Sequence, residues 1–149
     1  MADIYDKVKR SEIMSCVKHA RTAPEEKAAG LLKKLGIKYR RNVKSLPGQP
    51  DFLIKSAKTV IFVHGCFWHA HSNCKLARRP RSNKAFWVRK AIDNKRRDQR
   101  KNRLLRQQGW HILTIWQCSL RQPDKVSRRI EKMLLRSCPV VSAKKKKRG

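Results

Sequence analysis

The chain has 149 residues, 40% of them hydrophobic, and its 39 Lys and Arg against 10 Asp and Glu give a net charge of +29. This length fits one domain, and the apolar content excludes a disordered basic tail protein. Such an excess of positive charge opposes compact folding, so a polyanionic partner is expected; nucleic acid is favoured over a membrane because no long apolar span is present.

The cysteine content indicates reduced thiols. Five cysteines are an odd number, so they cannot all pair within the chain. The first ten residues carry no apolar stretch typical of a secretory signal, which predicts a cytoplasmic protein if the host is bacterial. The cysteines are therefore expected to be metal ligands or buried thiols, and Cys16 and Cys138, without ligand-like neighbours, are expected to be inert.

The first half of the chain predicts an arm, a helix and a strand. Residues 1–21 are polar and basic without a clear apolar period, as in an extended arm. A helix is expected from Thr22, with Glu25 three residues later as in a capping box, to Gly36. The alternation over residues 37–43 predicts a half-buried strand, which is followed by a turn at residues 45–50.

The second half of the chain predicts a sheet between helices. Two apolar runs, Asp51–Ile54 and Thr59–Val63, indicate a hairpin of central strands. The remaining predicted elements are a Cys/His-rich loop (64–74), one long or two consecutive helices (82–108), a strand (His111–Trp116), a helix from Pro123 and a basic, disordered tail (139–149). The order α, β, β, β, α, β, α predicts an α/β fold with a mixed central sheet flanked by helices.

Four residues with soft ligand atoms indicate a zinc site. Cys66, His71 and Cys74 lie within nine residues, and Cys118 follows a strand that adjacent pairing would bring close. Buried thiols and solvated histidines are the alternative interpretation, and the spacing leaves open whether His69 or His71 is the ligand. A closed four-ligand site is structural because catalysis needs an open position. Other residues must therefore carry out any reaction.

Asp51 is the candidate for that reaction. A carboxylate at the start of a strand caps a turn, pairs with a base or binds a metal, and turn capping is an equal alternative. His64, His69 and Glu25 are expected at the same end of the sheet. Phosphodiester hydrolysis needs a cation near the phosphate oxygens and a base for water, and Mg²⁺ prefers oxygen ligands such as Asp51.

Two consecutive aromatic pairs stand among basic residues. Residues 78–106 contain 13 Lys and Arg against 2 Asp, and this stretch includes Phe86 and Trp87. Phe67 and Trp68 lie in the Cys/His loop without apolar neighbours. Aromatic rings amid positive charge are typical of stacking on bases or wedging between base steps. Packing on the loop and the long helix is the alternative, and it is an equal one for Phe86.

These residues together resemble one known family, the very short patch repair (Vsr) DNA mismatch endonucleases. The similar segments are Ser45–Phe52, Val60–His69 with its HGCFWH core, Phe86-Trp87, Gly109-Trp110 and Trp116–Cys118, and the opening Met1–Asp3 and Arg10-Ser11 with Met14 also fit. The resemblance covers roughly residues 1–135. It implies a restriction-endonuclease-like fold and cleavage of one strand 5′ to the mispaired thymine of a T:G mismatch left by deamination of 5-methylcytosine.

The resemblance also implies a role for each site residue. Asp51 and the main-chain carbonyl of Val63 would bind catalytic Mg²⁺, and His69 would be the general base. The other implied roles are support of metal-bound water or of the leaving group by His64, Glu25 and Asp98, a structural Zn²⁺ held by Cys66, His71, Cys74 and Cys118, and a wedge of Phe67, Trp68 and Trp87 entering from the major groove.

The predicted organisation is an arm that clasps DNA (1–21), an endonuclease domain (22–138) and the basic tail (139–149). The expected partners are double-stranded DNA with a T:G mismatch and mismatch-repair proteins. No membrane association is expected, and the protein is expected to be a monomer. Two alternative functions are a non-enzymatic zinc-containing nucleic-acid-binding protein and a restriction nuclease of the same fold. The first alternative gives no reason for Asp51, His64 and His69 to converge.

Overall fold

The computed structural model describes residues 22–78 and 81–137. The predicted arm (1–21), the basic tail (139–149), and both Cys16 and Cys138 lie outside the described residues. Seven α-helices and β-strands are found in the described part, in the predicted order α, β, β, β, α, β, α. The boundaries of the proposed domains stay predictions.

The first helix, α1, spans Ala23–Lys34 and begins and ends at the predicted signals. The side-chain oxygen of Thr22 accepts a hydrogen bond of 3.5 Å from the backbone N–H of Glu25, which satisfies one of the free amides of the first turn. Gly36 has φ +69°, and the Ile37 N–H donates to the carbonyl of Leu32 at 3.0 Å. This left-handed turn closes the helix because glycine adopts positive φ without a steric penalty.

The strand predicted over residues 37–43 is much shorter than expected. Strand β1 contains only Arg40–Arg41. Upstream, the N–H of Ile37 is used by the end of α1 and not by a neighbouring strand. Downstream, Asn42 has φ +50°, which breaks the extended conformation. The alternation of polar and apolar residues therefore indicates which side chains face the core. It does not give the length of the strand that is hydrogen-bonded in the sheet.

The sheet is mixed and has the order β1-β2-β3-β4. Strand β2 (Phe52–Ile54) pairs antiparallel with both β1 and β3 (Thr59–His64), which confirms the predicted hairpin. Strand β4 (His111–Trp116) pairs parallel with β3, and the connection between them contains the helix α2 (Lys84–Gln107). The last residues of β3 and β4 thus meet at one edge of the sheet.

Helices cover both faces of this sheet. On one face, α1 and the last helix, α3 (Pro123–Ser137), pack Leu32 and Ile130 against Phe52 and Ile61 of the sheet. On the other face, Leu105 of α2 packs with the alternate residues of the same strands, which are Leu53, Val60 and Phe62. Strands buried on both sides read as continuous apolar runs, as the sequence shows. Among the described helices, none is both long and apolar enough to cross a bilayer.

Candidate active site and metal centre

Asp51 lies directly before β2, beside the end of β3. Its carboxylate oxygen Oδ2 accepts a hydrogen bond of 2.7 Å from the backbone N–H of Val63. The pKa of Asp51 is raised to about 6, mainly by burial and further by the nearby charge of Glu25, against the opposing effect of the hydrogen bond from Val63. Two acidic groups are therefore held together in a partly dry site, an arrangement that a bound cation stabilises.

Glu25 reaches this site from the first turn of α1. It is 5% exposed, and the hydroxyl of Thr22 lies 3.3 Å from its carboxylate. The helix cap that begins α1 therefore also fixes one of the predicted site residues. The structure brings Glu25, Asp51 and Val63 to one edge of the sheet, as the sequence predicted for the two carboxylates.

His64, His69 and Asp98 form a second cluster next to Asp51. One ligand atom from each lies within 4.8 Å of the others. The rings of His64 and His69 are stacked, with centroids 3.7 Å apart and planes 2° from parallel. Nδ1 of His69 lies 2.6 Å from Oδ2 of Asp98, a residue on α2. The cluster therefore joins the end of β3, the following loop and the long helix.

The electrostatics of this cluster separate the two histidines. Burial, together with the neighbouring His69, lowers the pKa of His64 to about 4. Burial alone would raise the pKa of Asp98, but the hydrogen bond to His69 and the nearby charges lower it overall. His64 is thus neutral at pH 7 and Asp98 is ionised. An ionised Asp98 can only accept, so Nδ1 of His69 donates and Nε2 is left to accept a proton.

The four predicted zinc ligands also lie together. One ligand atom from each of Cys66, His71, Cys74 and Cys118 lies within 4.8 Å of the others. Sγ of Cys118 is 3.4 Å from Nδ1 of His71, and the N–H of Cys118 donates to Sγ of Cys66 at 3.4 Å. Three thiols and one imidazole match a tetrahedral metal site, so this cluster fits a metal ion. His71, and not His69, is the histidine that joins the cysteines.

Local hydrogen bonds shape the loop that carries both clusters. The N–H groups of His69 and His71 donate to the carbonyls of Gly65 and Cys66 at 3.1 and 3.0 Å. Burial raises the pKa of the Cys66 thiol to about 12, so a positive ion is needed to keep this sulfur as a thiolate. Cys118 follows β4, and the parallel pairing of β4 with β3 brings it to Cys66 across 52 residues of chain.

The aromatic residues singled out in the sequence form one surface cluster. Phe67 packs edge-on against Trp68 and Trp87, with ring centroids 5.1 and 5.2 Å apart. Asn94 of α2 donates a hydrogen bond of 2.6 Å to the carbonyl of Trp68. These rings are half-buried, whereas Phe86 is 56% exposed, so packing in the core does not describe Phe86.

The solvent-facing side of α2 is strongly basic. Nine of its Lys and Arg residues are exposed: Lys84, Arg89, Lys90, Lys95, Arg96, Arg97, Arg100, Arg103 and Arg106. An apolar groove of about 720 Å³ between the end of α1 and β2, lined by Tyr39, Leu53 and Leu134, contains none of the site residues. The site is thus an open edge beside a positive surface, which suits a polyanion better than a small molecule.

Two residues of this region had no predicted role in the site. Asn94 follows Trp87 and Ala91 on one face of α2 and precedes Asp98, so its helical spacing was a usable signal. Trp116 stacks on His71, with ring centroids 4.1 Å apart and planes 9° from parallel. Its signal was its place at the end of β4, since His64 ends the paired strand.

The chain is similar in sequence to known DNA endonucleases. Residues 2–76 match the family profile described as DNA mismatch endonuclease Vsr. The DNA mismatch endonuclease Vsr of Escherichia coli strain K12 is 41% identical over 127 residues, which cover 85% of this chain and 81% of that protein. The type II nicking enzyme V.XorIIP of Xanthomonas oryzae is 37% identical over 134 residues, which cover 90% of this chain and 98% of that enzyme.

One solved structure has a similar fold. The catalytic domain of the homing endonuclease I-Bth0305I superposes with a TM-score of 0.53 and covers 78% of this chain and 97% of that domain. Its sequence identity is 24%, so this likeness concerns the fold alone. It confirms the expected restriction-endonuclease-like class of fold.

Proposed function

This chain belongs to the Vsr family of DNA mismatch endonucleases, and from that premise we propose that it nicks one strand of duplex DNA on the 5′ side of the thymine in a T:G mismatch, with Mg²⁺ as its catalytic cofactor. That the chain is a DNA endonuclease follows from its family. The mismatch, the position of the cut and the identity of the metal are our proposal. The single-strand cut is supported by the activities of two relatives, a mismatch endonuclease and a nicking enzyme.

Asp51 and the carbonyl oxygen of Val63 would hold the Mg²⁺. The support is a carboxylate that is partly buried, has its pKa raised to about 6 and lies near the acidic Glu25. Such a group is a hard oxygen ligand whose charge lacks full compensation, so it fits the cation chemically. When bound, the cation offsets negative charge on the phosphate oxygens and acidifies water.

His69 is the proposed general base. The ionised Asp98 accepts a hydrogen bond of 2.6 Å from the protonated Nδ1 of His69. This bond directs the lone pair of Nε2 away from α2. The stack on His64 fixes the plane of the ring. His64, neutral at pH 7, would support the leaving group or bound water, together with Glu25.

The Cys66, His71, Cys74 and Cys118 cluster would hold a structural Zn²⁺. One ligand atom from each of the four residues lies within 4.8 Å of the others, and four protein donors would complete the coordination of Zn²⁺ and leave no position for substrate. We therefore assign the zinc to the shape of the loop and the reaction to the neighbouring cluster.

Phe67, Trp68 and Trp87 are proposed to enter the base stack at the mispair. The rings already contact one another at a surface next to the basic side of α2. Unstacking costs a few kcal/mol per step and least where a mispair has weakened the duplex, so the wedge favours mismatched DNA. The N-terminal arm (1–21), a bacterial cytoplasmic location, a monomeric state and mismatch-repair partners stay predictions.

The single observation that carries the proposal is the convergence of the Asp51 carboxylate and the His69–Asp98 pair at one sheet edge. The test is a nicking assay on end-labelled duplexes that differ only in one T:G or A:T pair, with Mg²⁺, with Ca²⁺ and without divalent cation. We expect one labelled fragment, from the thymine strand of the T:G duplex, with Mg²⁺ only. Binding of the duplexes without cleavage would support the alternative of a non-enzymatic zinc-containing nucleic-acid-binding protein. Cleavage of both strands of matched DNA would support a restriction nuclease.

A further inference from the structure

Trp116 lies between the two clusters of the site. It is the last residue of β4 and pairs in register with His64, the last residue of β3. One face of its ring covers His71 at 4.1 Å, nearly parallel. The same ring stands edge-on to His64 and His69, with centroids 5.3 and 6.4 Å away and interplanar angles of 76° and 74°. A single side chain thus touches the cluster of Cys66, His71, Cys74 and Cys118, called the cage below, and faces both imidazoles of the neighbouring cluster.

The stacked imidazoles of His64 and His69 depend on their neighbours for their position. His69 is held by Asp98 on one side and by the face of His64 on the other. His64 itself is 9% exposed and has Phe62 as a further neighbour, with ring centroids 5.8 Å apart. If the half-buried Trp116 ring were absent, the stack would border open space, and the two imidazoles would no longer be held in place from this side.

We propose that Trp116 is a positioning residue that sets the His64–His69 stack against the His71 ring, so that the cage governs the geometry of the reaction centre as well as the shape of the loop. This inference rests on the proposed function, because it takes His69 as the base. The cage then has a second role: it fixes His71, His71 fixes the plane of Trp116, and the edge of Trp116 fixes the imidazoles. A displacement of about 1 Å at a catalytic group can lower a rate by about 100-fold.

The test compares Trp116→Leu and Trp116→Phe with the matched control Trp110→Leu. Trp110 directly precedes β4, at the opposite end of that strand from Trp116, and packs on the face of the sheet that α2 covers, where Nζ of Lys58 lies 5.9 Å from the centre of its ring. The measurements are the single-turnover cleavage rate on T:G duplex, the dissociation constant for the same duplex, and the zinc content of each purified protein. For Trp116→Leu we expect a rate lowered by about 10- to 100-fold, with unchanged zinc content and DNA affinity.

The other variants keep the test decisive. Trp116→Phe keeps an aromatic ring at this position, so we expect it to retain most of the wild-type cleavage rate. Trp110→Leu should cleave at the wild-type rate even if its melting temperature falls. If Trp116→Leu does not fold, Trp116→Phe still tests the inference through the imidazole ¹H–¹⁵N signals of His64 and His69, which should shift in this variant and not in Trp110→Phe.

Three results would overturn the inference: a wild-type rate in Trp116→Leu, a loss of rate that follows a loss of zinc or of DNA affinity, or unshifted histidine signals. Failure of the proposed function is recognised separately. It would appear as full activity in Asp51→Asn, whereas an inactive Asp51→Asn beside a fully active Trp116→Leu would overturn only the role of Trp116.

Discussion

Replacing Asp51 by asparagine should abolish nicking and at the same time stabilise the magnesium-free protein. The partly buried carboxylate has its pKa raised from 3.8 to about 6. A folded-state pKa above the unfolded value means that folding disfavours the charged form, so this cost is fully present at pH 7 and is relieved as the pH falls towards 4. Asparagine carries no charge, and its side-chain oxygen can still accept the N–H of Val63.

The shift of about two pKa units corresponds to about 3 kcal/mol at pH 7. Partial exposure of the side chain reduces this figure, and we expect the free energy of unfolding to rise by about 2 kcal/mol in Asp51→Asn. The gain should fall by about half at pH 5, because protonation of the wild-type carboxyl then relieves the same cost.

Urea denaturation of zinc-loaded protein without Mg²⁺, at pH 7 and at pH 5, measures this difference. Asp93→Asn, which removes the same charge from an exposed position on α2, is the matched control and should change the free energy of unfolding by less than about 0.5 kcal/mol. A variant Asp51→Asn that is no more stable than the wild type at pH 7, or whose gain is equal at both pH values, would refute the reasoning.

Three further predictions concern the remaining parts of the site. His69→Ala should lower the single-turnover rate by about 100- to 10,000-fold with unchanged affinity for T:G duplex, and a weaker duplex affinity of equal size would instead make His69 a binding residue. Cys118→Ser should lower both the zinc content and the melting temperature, and an unchanged zinc-to-protein ratio by elemental analysis would remove Cys118 from the cage. Trp68→Ala should reduce the ratio of affinities for T:G over matched duplex, and an unaltered ratio in a titration of both duplexes would exclude the ring from mismatch recognition.

Much of the fold could be predicted because local signals and tertiary packing agree. Thr22 and Glu25 predicted the start of α1, and the run His111–Trp116 predicted both ends of β4 correctly. The strand over residues 37–43 was overestimated because its alternation arises from packing on the core. The positive φ of Asn42 and the helix-end hydrogen bond of Ile37 interrupt the ladder there, and neither leaves a clear pattern in polarity.

The site was predictable as a set of residues but not as an arrangement. The sequence placed Asp51 and His64 at one end of a hairpin, since antiparallel pairing brings the start of one strand to the end of the next. Asp98 is 29 residues from His69 and came only from the resemblance to a family. The stacking of His64 on His69 and the bridging ring of Trp116 depend on side-chain rotamers in three dimensions, which spacing along the chain does not encode.

The contact among Phe67, Trp68 and Trp87 exists before any nucleic acid is bound. If these rings enter the duplex as proposed, their prior assembly means that little conformational entropy would be lost, and nearly the same protein surface would meet every base step. Selectivity would then reside mainly in the substrate, as a difference in how easily neighbouring base pairs separate. Sites in soft, pyrimidine–purine-rich surroundings would accordingly be entered more readily than the same mispair in a stiff A-tract.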